Sequence, residues 1–193
     1  MTRPNVIILA GPNRAGKTTA APRVLAETLD VAEFVNADTI ARGLSAFNEE
    51  SQAMEAGRIM LRRLHELGAQ NVSFAFETTL ASRTFAAFVK QLKGQGYAFR
   101  LFFFSLASAD MAVARVQHRV RLGGHNVPEE TIRRRYESGL RNFFELYSPL
   151  ATSWRLYENS NPPTPHLIAM REENSQTVVL DEPLWNNRSR YGR

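Results

Sequence analysis

The sequence predicts a single α/β domain in which helices cover both faces of a mostly parallel sheet. Short apolar segments rich in β-branched or aromatic residues alternate with amphipathic segments of helical periodicity along most of the chain. Such alternation is typical of parallel strands joined by right-handed helical crossovers. We therefore expect a three-layer α/β/α arrangement around a five-stranded, mostly parallel sheet, with a helical lid and a small C-terminal hairpin.

Five segments have the composition of strands. The first, Asn5–Ala10, is apolar without alternation, as in a strand covered on both faces, and it runs into a glycine-rich loop. The others are residues 33–36, 72–76, 98–106 and 154–157. Two short runs near the C-terminus, residues 167–170 and 178–180, are expected to form the hairpin.

Helical segments follow most of these strands. We predict helices over residues 17–29, 39–44, 49–67, 82–93, 109–120 and 128–147. Pro22 lies inside the first of them and leaves the carbonyl of Thr18 without its helical partner, so we expect a bend there. Tyr136, Leu140, Phe143 and Tyr147 share one face of the last helix, which indicates core packing. The polar residues 186–193 are expected to fray.

Length and composition limit the classes of protein. A chain of 193 residues with 44% apolar side chains can bury one substantial core, so residues 1–193 are treated as one domain. The chain has no cysteine, which excludes disulfides and thiolate metal sites. No apolar run approaches the roughly 20 residues of a membrane-spanning helix, and we expect a cytoplasmic protein.

The net charge of +5 comes mainly from arginine, since Lys17, Lys90 and Lys93 are the only lysines. A planar guanidinium group binds phosphate oxygens with two hydrogen bonds, so the composition favours phosphorylated ligands. Nucleic acid is the competing partner for a basic protein. The arginines are concentrated between residues 115 and 141 with few interleaved aromatic residues, whereas base stacking needs such residues. Nucleic acid is therefore the less favoured partner.

The segment after the first strand matches the phosphate-loop (P-loop) pattern G-x-x-x-x-G-K-[ST] at every fixed position. It consists of Gly11, Pro12, Asn13, Arg14, Ala15, Gly16, Lys17 and Thr18, followed by Thr19. In such a loop, backbone N–H groups and the N-terminus of the next helix surround phosphate groups. Lys17 is expected to reach the β and γ phosphates of ATP, and the Thr18 hydroxyl to bind Mg²⁺. The alternative, a chance glycine turn, is disfavoured by the strand before it and the helix after it.

Two carboxylates near strand ends are candidates for the chemistry. Asp38 follows the second strand, at the sheet edge where ligands bind. It would accept the proton of an acceptor hydroxyl, or it would only cap the adjacent helix. Glu77 follows the third strand, where P-loop proteins keep an acidic residue for Mg²⁺. The alternative for Glu77 is a merely solvated carboxylate.

Residues 109–147 have the form of a helical lid. Arg119 and Arg121 lie at the end of one helix, and Arg134 and Arg135 lie near the start of the next. Residues 123–128, which include His125, form the hinge between them. Two arginines closing over the phosphates would neutralise charge on the transferring group. A solvated basic face paired with glutamates is the alternative.

Together these motifs resemble the zeta-toxin family of P-loop kinases, in particular its short bacterial members. The resemblance spans about residues 6–160 and rests on the segments GPNRAGKTT, NADTIARGL, FETTL and RVRLGGHNVPEETIRRRY. It implies a P-loop NTPase-type fold with ATP phosphates at Lys17, Asp38 as the base, and two lid arginines at the phosphates. It further implies UDP-N-acetylglucosamine as a possible acceptor and a small antitoxin protein as a possible partner.

The sequence thus predicts an ATP-dependent phosphotransferase that moves the γ-phosphoryl group onto a hydroxyl of a small molecule, such as a nucleotide sugar. Two alternatives stay open. One is a kinase that acts on a polynucleotide end, with the basic lid holding the strand. The other is a nucleotide-controlled binding module without transferase activity.

Overall fold

The computed structural model describes residues 3–28, 31, 33–45, 52–124, 126–161 and 164–192, without the side chains of residues 23–28. The strands are β1 Asn5–Ala10, β2 Glu33–Val35, β3 Phe74–Thr78, β4 Ala98–Ser105, β5 Ser153–Glu158, β6 His166–Arg171 and β7 Val178–Val179. The helices are α1 Lys17–Thr28, α2 Ala37–Leu44, α3 Ala53–Ala69, α4 Thr84–Gly94, α5 Ala109–Arg121, α6 Glu129–Asn142, α7 Ser148–Leu150 and α8 Glu182–Ser189. The predicted start of the third helix at residues 49–51 and the hinge residue His125 lie outside the described residues. None of the described helices has the length and apolar character needed to cross a membrane.

The strands form one sheet in the order β2-β3-β1-β4-β5-β6-β7. The first five in this order run parallel, as the alternation of strands and helices predicts. The C-terminal hairpin, β6 and β7, is also present, but it pairs antiparallel with β5 and thereby extends the same sheet. The protein therefore has the α/β fold of P-loop NTPases, with a mostly parallel sheet and a C-terminal antiparallel hairpin.

Strand β1 lies in the middle of the parallel part, between β3 and β4, and all six of its residues are buried. Since successive side chains of a strand point to opposite faces, uninterrupted burial means that both faces are covered. The strand ends at Ala10, so the glycine-rich loop emerges at the carboxyl edge of the sheet, where this fold class binds its ligands.

Strand β3 begins two residues later than predicted and includes Glu77. Val72 and Ser73 make other contacts: the Tyr97 hydroxyl donates to the carbonyl oxygen of Val72 (2.9 Å), and Ser73 Oγ accepts from the backbone N–H of Asn5 (3.0 Å). These bonds replace strand pairing at the two positions. Glu77 therefore lies within strand β3 and pairs with β1, whereas the sequence predicts it in the loop after the strand.

The segment predicted as the lid is packed into the core over most of its length. The predicted stripe of Tyr136, Leu140, Phe143 and Tyr147 is buried, which confirms its role in core packing. The α-helix ends at Asn142, and Phe143–Tyr147 continues it as one π-helical turn. The most exposed stretch is the turn between α5 and α6 together with the ends of the helices that flank it. That this turn moves as a lid stays a prediction.

The prediction that the C-terminal segment frays is wrong for the described residues up to 192. Helix α8 is capped by Asp181, whose side chain accepts from the backbone N–H of Leu184 (3.0 Å), and a 3-10 turn, Arg190–Gly192, follows it. Trp185 stacks parallel to Trp154 of β5, with ring centroids 6.0 Å apart. Aromatic packing against the sheet therefore orders this segment, although its polar composition does not indicate an ordered structure.

Candidate active site

The phosphate loop is tightly packed between β1 and α1. Gly11 has φ +140°, and a Cβ atom there would lie 2.2 Å from the carbonyl oxygen of Phe104 in β4. Gly16 has φ +81°, and its Cβ atom would lie 2.5 Å from the side-chain nitrogen of Asn159. Larger residues at either position would collide with these neighbours and would adopt a backbone conformation that L-residues avoid. Packing thus requires both fixed glycines of the motif.

Lys17 is almost completely buried at the start of α1, with 6% of its surface exposed. Its Nζ atom donates a 2.9 Å hydrogen bond to the carbonyl oxygen of Pro12 and lies 3.5 Å from a carboxylate oxygen of Glu77. A buried ammonium group is tolerated only where oxygen acceptors or anions surround it. The inside of the loop therefore holds a positive charge at the place where phosphate oxygens would be bound.

Glu77 reaches the loop because the parallel register of β1 and β3 places it opposite Leu9. Its carboxylate accepts a 2.7 Å hydrogen bond from Thr18 Oγ1 and a 3.0 Å hydrogen bond from Nδ2 of Asn36. The two residues predicted to bind the metal, Thr18 and Glu77, are thus in direct contact. Asn36 is a site residue that the sequence analysis did not single out, although it directly follows β2.

Asp38 lies in the first turn of α2 with its side chain exposed. The side-chain oxygen of Asn36 accepts from the backbone N–H groups of Asp38 (2.8 Å) and Thr39 (3.3 Å). Asn36 is therefore the cap of α2, and the alternative that Asp38 serves as the cap is wrong. The carboxylate of Asp38 is not needed to start the helix.

Of the predicted lid arginines, Arg135 lies within electrostatic range of Asp38. Burial lowers the pKa of the partly buried Arg135 guanidinium, the Asp38 carboxylate opposes this lowering, and the neighbouring Arg134 adds to it. A carboxylate of α2 and a guanidinium group of α6, which are distant in sequence, thus interact electrostatically.

The other predicted lid arginines lie at the surface. Arg121 and Arg134 are exposed, and the Arg119 side chain packs back on the turn, where a Cβ atom at Gly124 would lie 2.6 Å from its Cγ. Arg133 forms ion pairs with acidic residues of α5 and α6. For Arg133 the alternative of a paired, solvated face therefore describes the structure.

Two further residues support the phosphate loop by donating hydrogen bonds to its backbone carbonyl groups. Arg115 of α5 donates to the carbonyl oxygens of Arg14 (3.2 Å), Asn159 (3.0 Å) and Ser160 (2.7 Å), while Asn159 Nδ2 donates to the carbonyl oxygen of Ala15 (2.7 Å). The sequence analysis includes Arg115 in the predicted lid, residues 109–147, and assigns no role to Asn159. The usable signal was that Asn159 directly follows a strand that ends at the ligand-binding edge.

The oxygen atoms beside the loop fit a magnesium ion. The described residues hold no group of three or more His, Cys, Asp or Glu side chains suited to a shared metal ion. Mg²⁺ at a nucleotide needs fewer protein ligands, because it keeps several waters and binds the phosphates. The Thr18 hydroxyl and the Glu77 carboxylate, in hydrogen-bond contact with each other, are hard oxygen ligands of the required kind.

A cleft of about 440 Å³ lies between the edge strand β2 and helices α2 and α3. Its described lining includes Phe34, Ile40 and Ile59, with Arg62 and Glu66 at its charged part. The described lining also includes Asn36, which donates to Glu77, so the cleft adjoins the candidate site, although Lys17 and Asp38 are not among its described lining residues.

A phosphate loop at the carboxyl edge of a parallel sheet, with an acidic residue on the adjacent strand, defines a P-loop kinase-type domain. Residues 6–143 match the AAA domain family (AAA_33), and the chain belongs to this family. An uncharacterized protein of Haemophilus influenzae (strain ATCC 51907 / DSM 11121 / KW20 / Rd) is 27% identical over 131 residues, which cover 67% of this chain and 91% of that protein.

Solved structures share the fold at low sequence identity. A chain of the AvrRxo1-ORF1:-ORF2 structure with ATP is 16% identical, with a TM-score of 0.74 over 97% of this chain. This chain spans only 64% of that chain's length. A chain from the PezAT chromosomal toxin-antitoxin system of Streptococcus pneumoniae is 14% identical, with a TM-score of 0.61, and covers 99% of this chain and 86% of that one. These likenesses establish the fold.

Proposed function

We propose that this protein is an ATP-dependent phosphotransferase that moves the γ-phosphoryl group of ATP onto a hydroxyl group of a small molecule. The observation that carries the proposal is the buried Lys17, held inside the phosphate loop by the carbonyl oxygen of Pro12 and the carboxylate of Glu77. Lysine in this position exchanges one set of oxygen acceptors for another when a triphosphate enters, so its charge is compensated in both states.

Thr18 and Glu77 would hold Mg²⁺ together with the phosphates. At this position Mg²⁺ would supply charge neutralisation for the phosphates. Binding of the ion would use the carboxylate oxygen that now accepts from Thr18 and Asn36. The hydrogen bond from Asn36 would help to orient the Glu77 carboxylate, a supporting contact of the kind that metal ligands commonly have.

Asp38 would orient the acceptor hydroxyl and accept its proton, and Arg135 would neutralise charge on the transferring group. The proposal is supported by the electrostatic effect of the Asp38 carboxylate on the pKa of Arg135 and by the finding that Asn36 caps α2 instead of Asp38. A partly buried guanidinium group beside the reaction site interacts more strongly with phosphate than an exposed one, because water screens it less. Arg119, Arg121 and Arg134 would contribute only if the turn between α5 and α6 closes.

An anionic acceptor suits the charges around Asp38. Arg42 lies one helical turn after Asp38 and donates to its carbonyl oxygen (3.4 Å), while Arg135 approaches from α6. Two positive groups that interact with Asp38 would attract an acceptor that carries phosphate of its own. The resemblance to zeta toxins makes a nucleotide sugar such as UDP-N-acetylglucosamine the first acceptor to test, and an antitoxin-like protein the first partner to seek.

The test is transfer of label from γ-labelled ATP to a cell metabolite extract and to UDP-N-acetylglucosamine. Wild-type protein should label an acceptor, Lys17→Met should lose ATP binding and transfer, and Asp38→Asn should lose transfer while binding ATP with unchanged affinity. Lys90→Met, which changes an exposed lysine of α4, is the matched control and should behave as wild type. Full transfer by Asp38→Asn would remove the proposed base, and absence of ATP binding by folded wild-type protein would end the proposal.

A kinase of polynucleotide ends is the second candidate, supported by the exposed Arg121 and Arg134 near the turn between α5 and α6. A polynucleotide held by several phosphate contacts loses affinity steeply as the salt concentration rises, whereas a small acceptor does not. Oligonucleotide binding titrated against salt separates the two. ATP binding without transfer to any acceptor would instead favour a nucleotide-controlled binding module.

A further inference from the structure

The C-terminal helix α8 buries an arginine beside the ends of two central strands. Arg188 is 2% exposed. Its Nη2 donates to the Glu158 carboxylate (2.5 Å), its Nε to Ser105 Oγ (3.3 Å), and its Nη1 to the side-chain oxygen of Asn187 (2.6 Å). All three guanidinium nitrogens therefore have partners, which is the condition under which a buried charge is tolerated.

Glu158 connects this charge to both strand ends. It is the last residue of β5, and besides Arg188 it accepts from Ser105 Oγ at the end of β4 (3.1 Å). It also accepts from the backbone N–H of Ser160 (3.1 Å) and from the Ser160 hydroxyl. Ser160 Oγ in turn accepts from the backbone N–H of Ala107 (2.8 Å). One carboxylate thus orders the loops that follow β4 and β5.

Both fixed glycines of the phosphate loop rest on these strand ends. Gly11 packs on the carbonyl group of Phe104, the residue before the serine that Arg188 contacts. Gly16 packs on the side chain of Asn159, the residue after the glutamate that Arg188 contacts. Asn159 also donates to the carbonyl oxygen of Ala15 (2.7 Å), so the loop is bonded to the segment that Glu158 holds.

Arg115 closes the connection from the side of α5. Its guanidinium group bridges the carbonyl oxygens of Asn159 and Ser160 to that of Arg14 in the loop. Arg14 has φ +60°, a conformation that a non-glycine residue keeps only where its surroundings impose it. Hydrogen bonds, joined through the backbone of Ser160, therefore connect Arg188 of α8 to the strained centre of the phosphate loop.

We infer that Arg188 is a positioning residue of the nucleotide site, which acts through Glu158 on the two strand ends that support the phosphate loop. The inference rests on the proposed nucleotide-binding function. The hydrogen-bond partners described for Arg188 are Ser105, Asn187 and Glu158, which lie outside the loop. Loss of Arg188 leaves the largely buried Glu158 carboxylate without its cation, and the loops after β4 and β5 then rearrange to let more water reach that charge. Gly11 and Gly16 lose the surfaces on which they rest.

The test measures two quantities in the full-length protein. One is the affinity for ATP with Mg²⁺, by calorimetry. The other is amide hydrogen exchange over residues 11–20 without nucleotide, which reports the order of the loop whether or not ATP binds. Arg188→Met should weaken ATP binding by about tenfold and speed exchange over residues 11–20. Arg188→Lys keeps the pair with Glu158 and should recover part of both properties.

Two controls separate positioning from a general loss of stability. Leu92→Ala removes a buried side chain of α4 that packs against Gly68, outside this network, and should lower Tm while leaving ATP affinity and loop exchange at wild-type values. The tryptophan emission spectrum reports whether α8 stays docked, because Trp185 and Trp154 are the only tryptophans and stack on each other. Arg188→Met should leave that spectrum unchanged.

A double-mutant cycle tests the path through Glu158. In a Glu158→Gln background, Arg188→Met should change ATP affinity far less than it does in wild type, because the pair is already broken. Unchanged ATP affinity and loop exchange in Arg188→Met, no recovery in Arg188→Lys, or additive effects in the cycle would each overturn the inference. If wild type fails to bind ATP, the proposed function falls, and loop exchange still shows whether Arg188 orders the loop.

Discussion

Replacing Gly139 by alanine tests whether α6 is clamped against the loop that follows Glu77. Gly139 is buried, and an added Cβ atom would lie 2.6 Å from the backbone carbonyl oxygen of Thr79. A backbone atom cannot swing aside as the end of a flexible side chain does, so either the helix or the loop must move. The loop is also held by Asn142, whose Nδ2 donates to the carbonyl oxygens of Leu80 (2.9 Å) and Ala81 (3.1 Å).

The magnitude follows from two opposed contributions. Alanine gains about 1 kcal/mol over glycine in a helix interior. Overpacking a well-packed site costs about 1–3 kcal/mol. The loop has little room to yield, because Leu80 is fully buried with φ +61° and is tied to α6 through Asn142. We therefore expect a net loss of about 1–2 kcal/mol in the free energy of unfolding, which lowers Tm by roughly 2–8 °C.

Gly57→Ala is the matched control, since Gly57 lies inside α3 and a Cβ atom there would meet nothing within 4 Å. The same substitution in the same kind of element should raise the free energy of unfolding by up to about 1 kcal/mol. Urea unfolding and thermal unfolding measure both variants. If Gly139→Ala is as stable as Gly57→Ala, then α6 is not clamped against the loop and the reasoning is refuted.

Two further variants test the site and the core. Asn36→Ala removes the cap of α2 and should lower the free energy of unfolding by about 1 kcal/mol. Asn36→Ser keeps a capping oxygen and should lower the free energy of unfolding by less than that. Equal urea midpoints for the two variants would contradict the capping role. Burial raises the pKa of Tyr147 to about 12. Because the unfolded chain ionises near pH 10, the stability that Tyr147 contributes is complete below about pH 10 and is lost as the pH rises toward the folded pKa. In that range its ionisation lowers the free energy of unfolding by up to about 1.4 kcal/mol per pH unit. The free energy of unfolding, measured with urea, should therefore fall less steeply with rising pH in Tyr147→Phe than in wild type. Identical slopes would contradict the raised pKa of Tyr147.

The phosphate loop was predictable because its chemistry is local. Strand, glycines, lysine and helix follow one another in the chain, and each has a conformational reason that a sequence pattern displays. The parallel sheet was predictable for a similar reason, since alternating elements admit few topologies. The contact between Thr18 and Glu77 could not be predicted in the same way, because it depends on the register of β1 against β3. The sequence indicates only that Glu77 lies near the ligand-binding edge of the sheet.

The roles of Asn36 and Asp38 show where local patterns become ambiguous. Both residue types are good helix caps, and they lie two positions apart at the end of β2. The choice depends on where the chain leaves β2 and starts α2, which tertiary packing decides within one or two residues. Once the structure assigns the cap to Asn36, capping no longer accounts for the carboxylate of Asp38, which is consistent with the role proposed for it.

The burial of Arg188 lay beyond any local pattern. A polar C-terminal segment without apolar periodicity normally frays, and an arginine normally stays in water because a buried charge without partners is costly. Its partners Ser105 and Glu158 lie at the ends of β4 and β5, so the compensation exists only after the sheet has formed. Those strand ends also support the glycines of the phosphate loop. The charge is therefore buried where it can order the loop, and the cost of burying it is the physical reason to expect that its loss is felt at the nucleotide site.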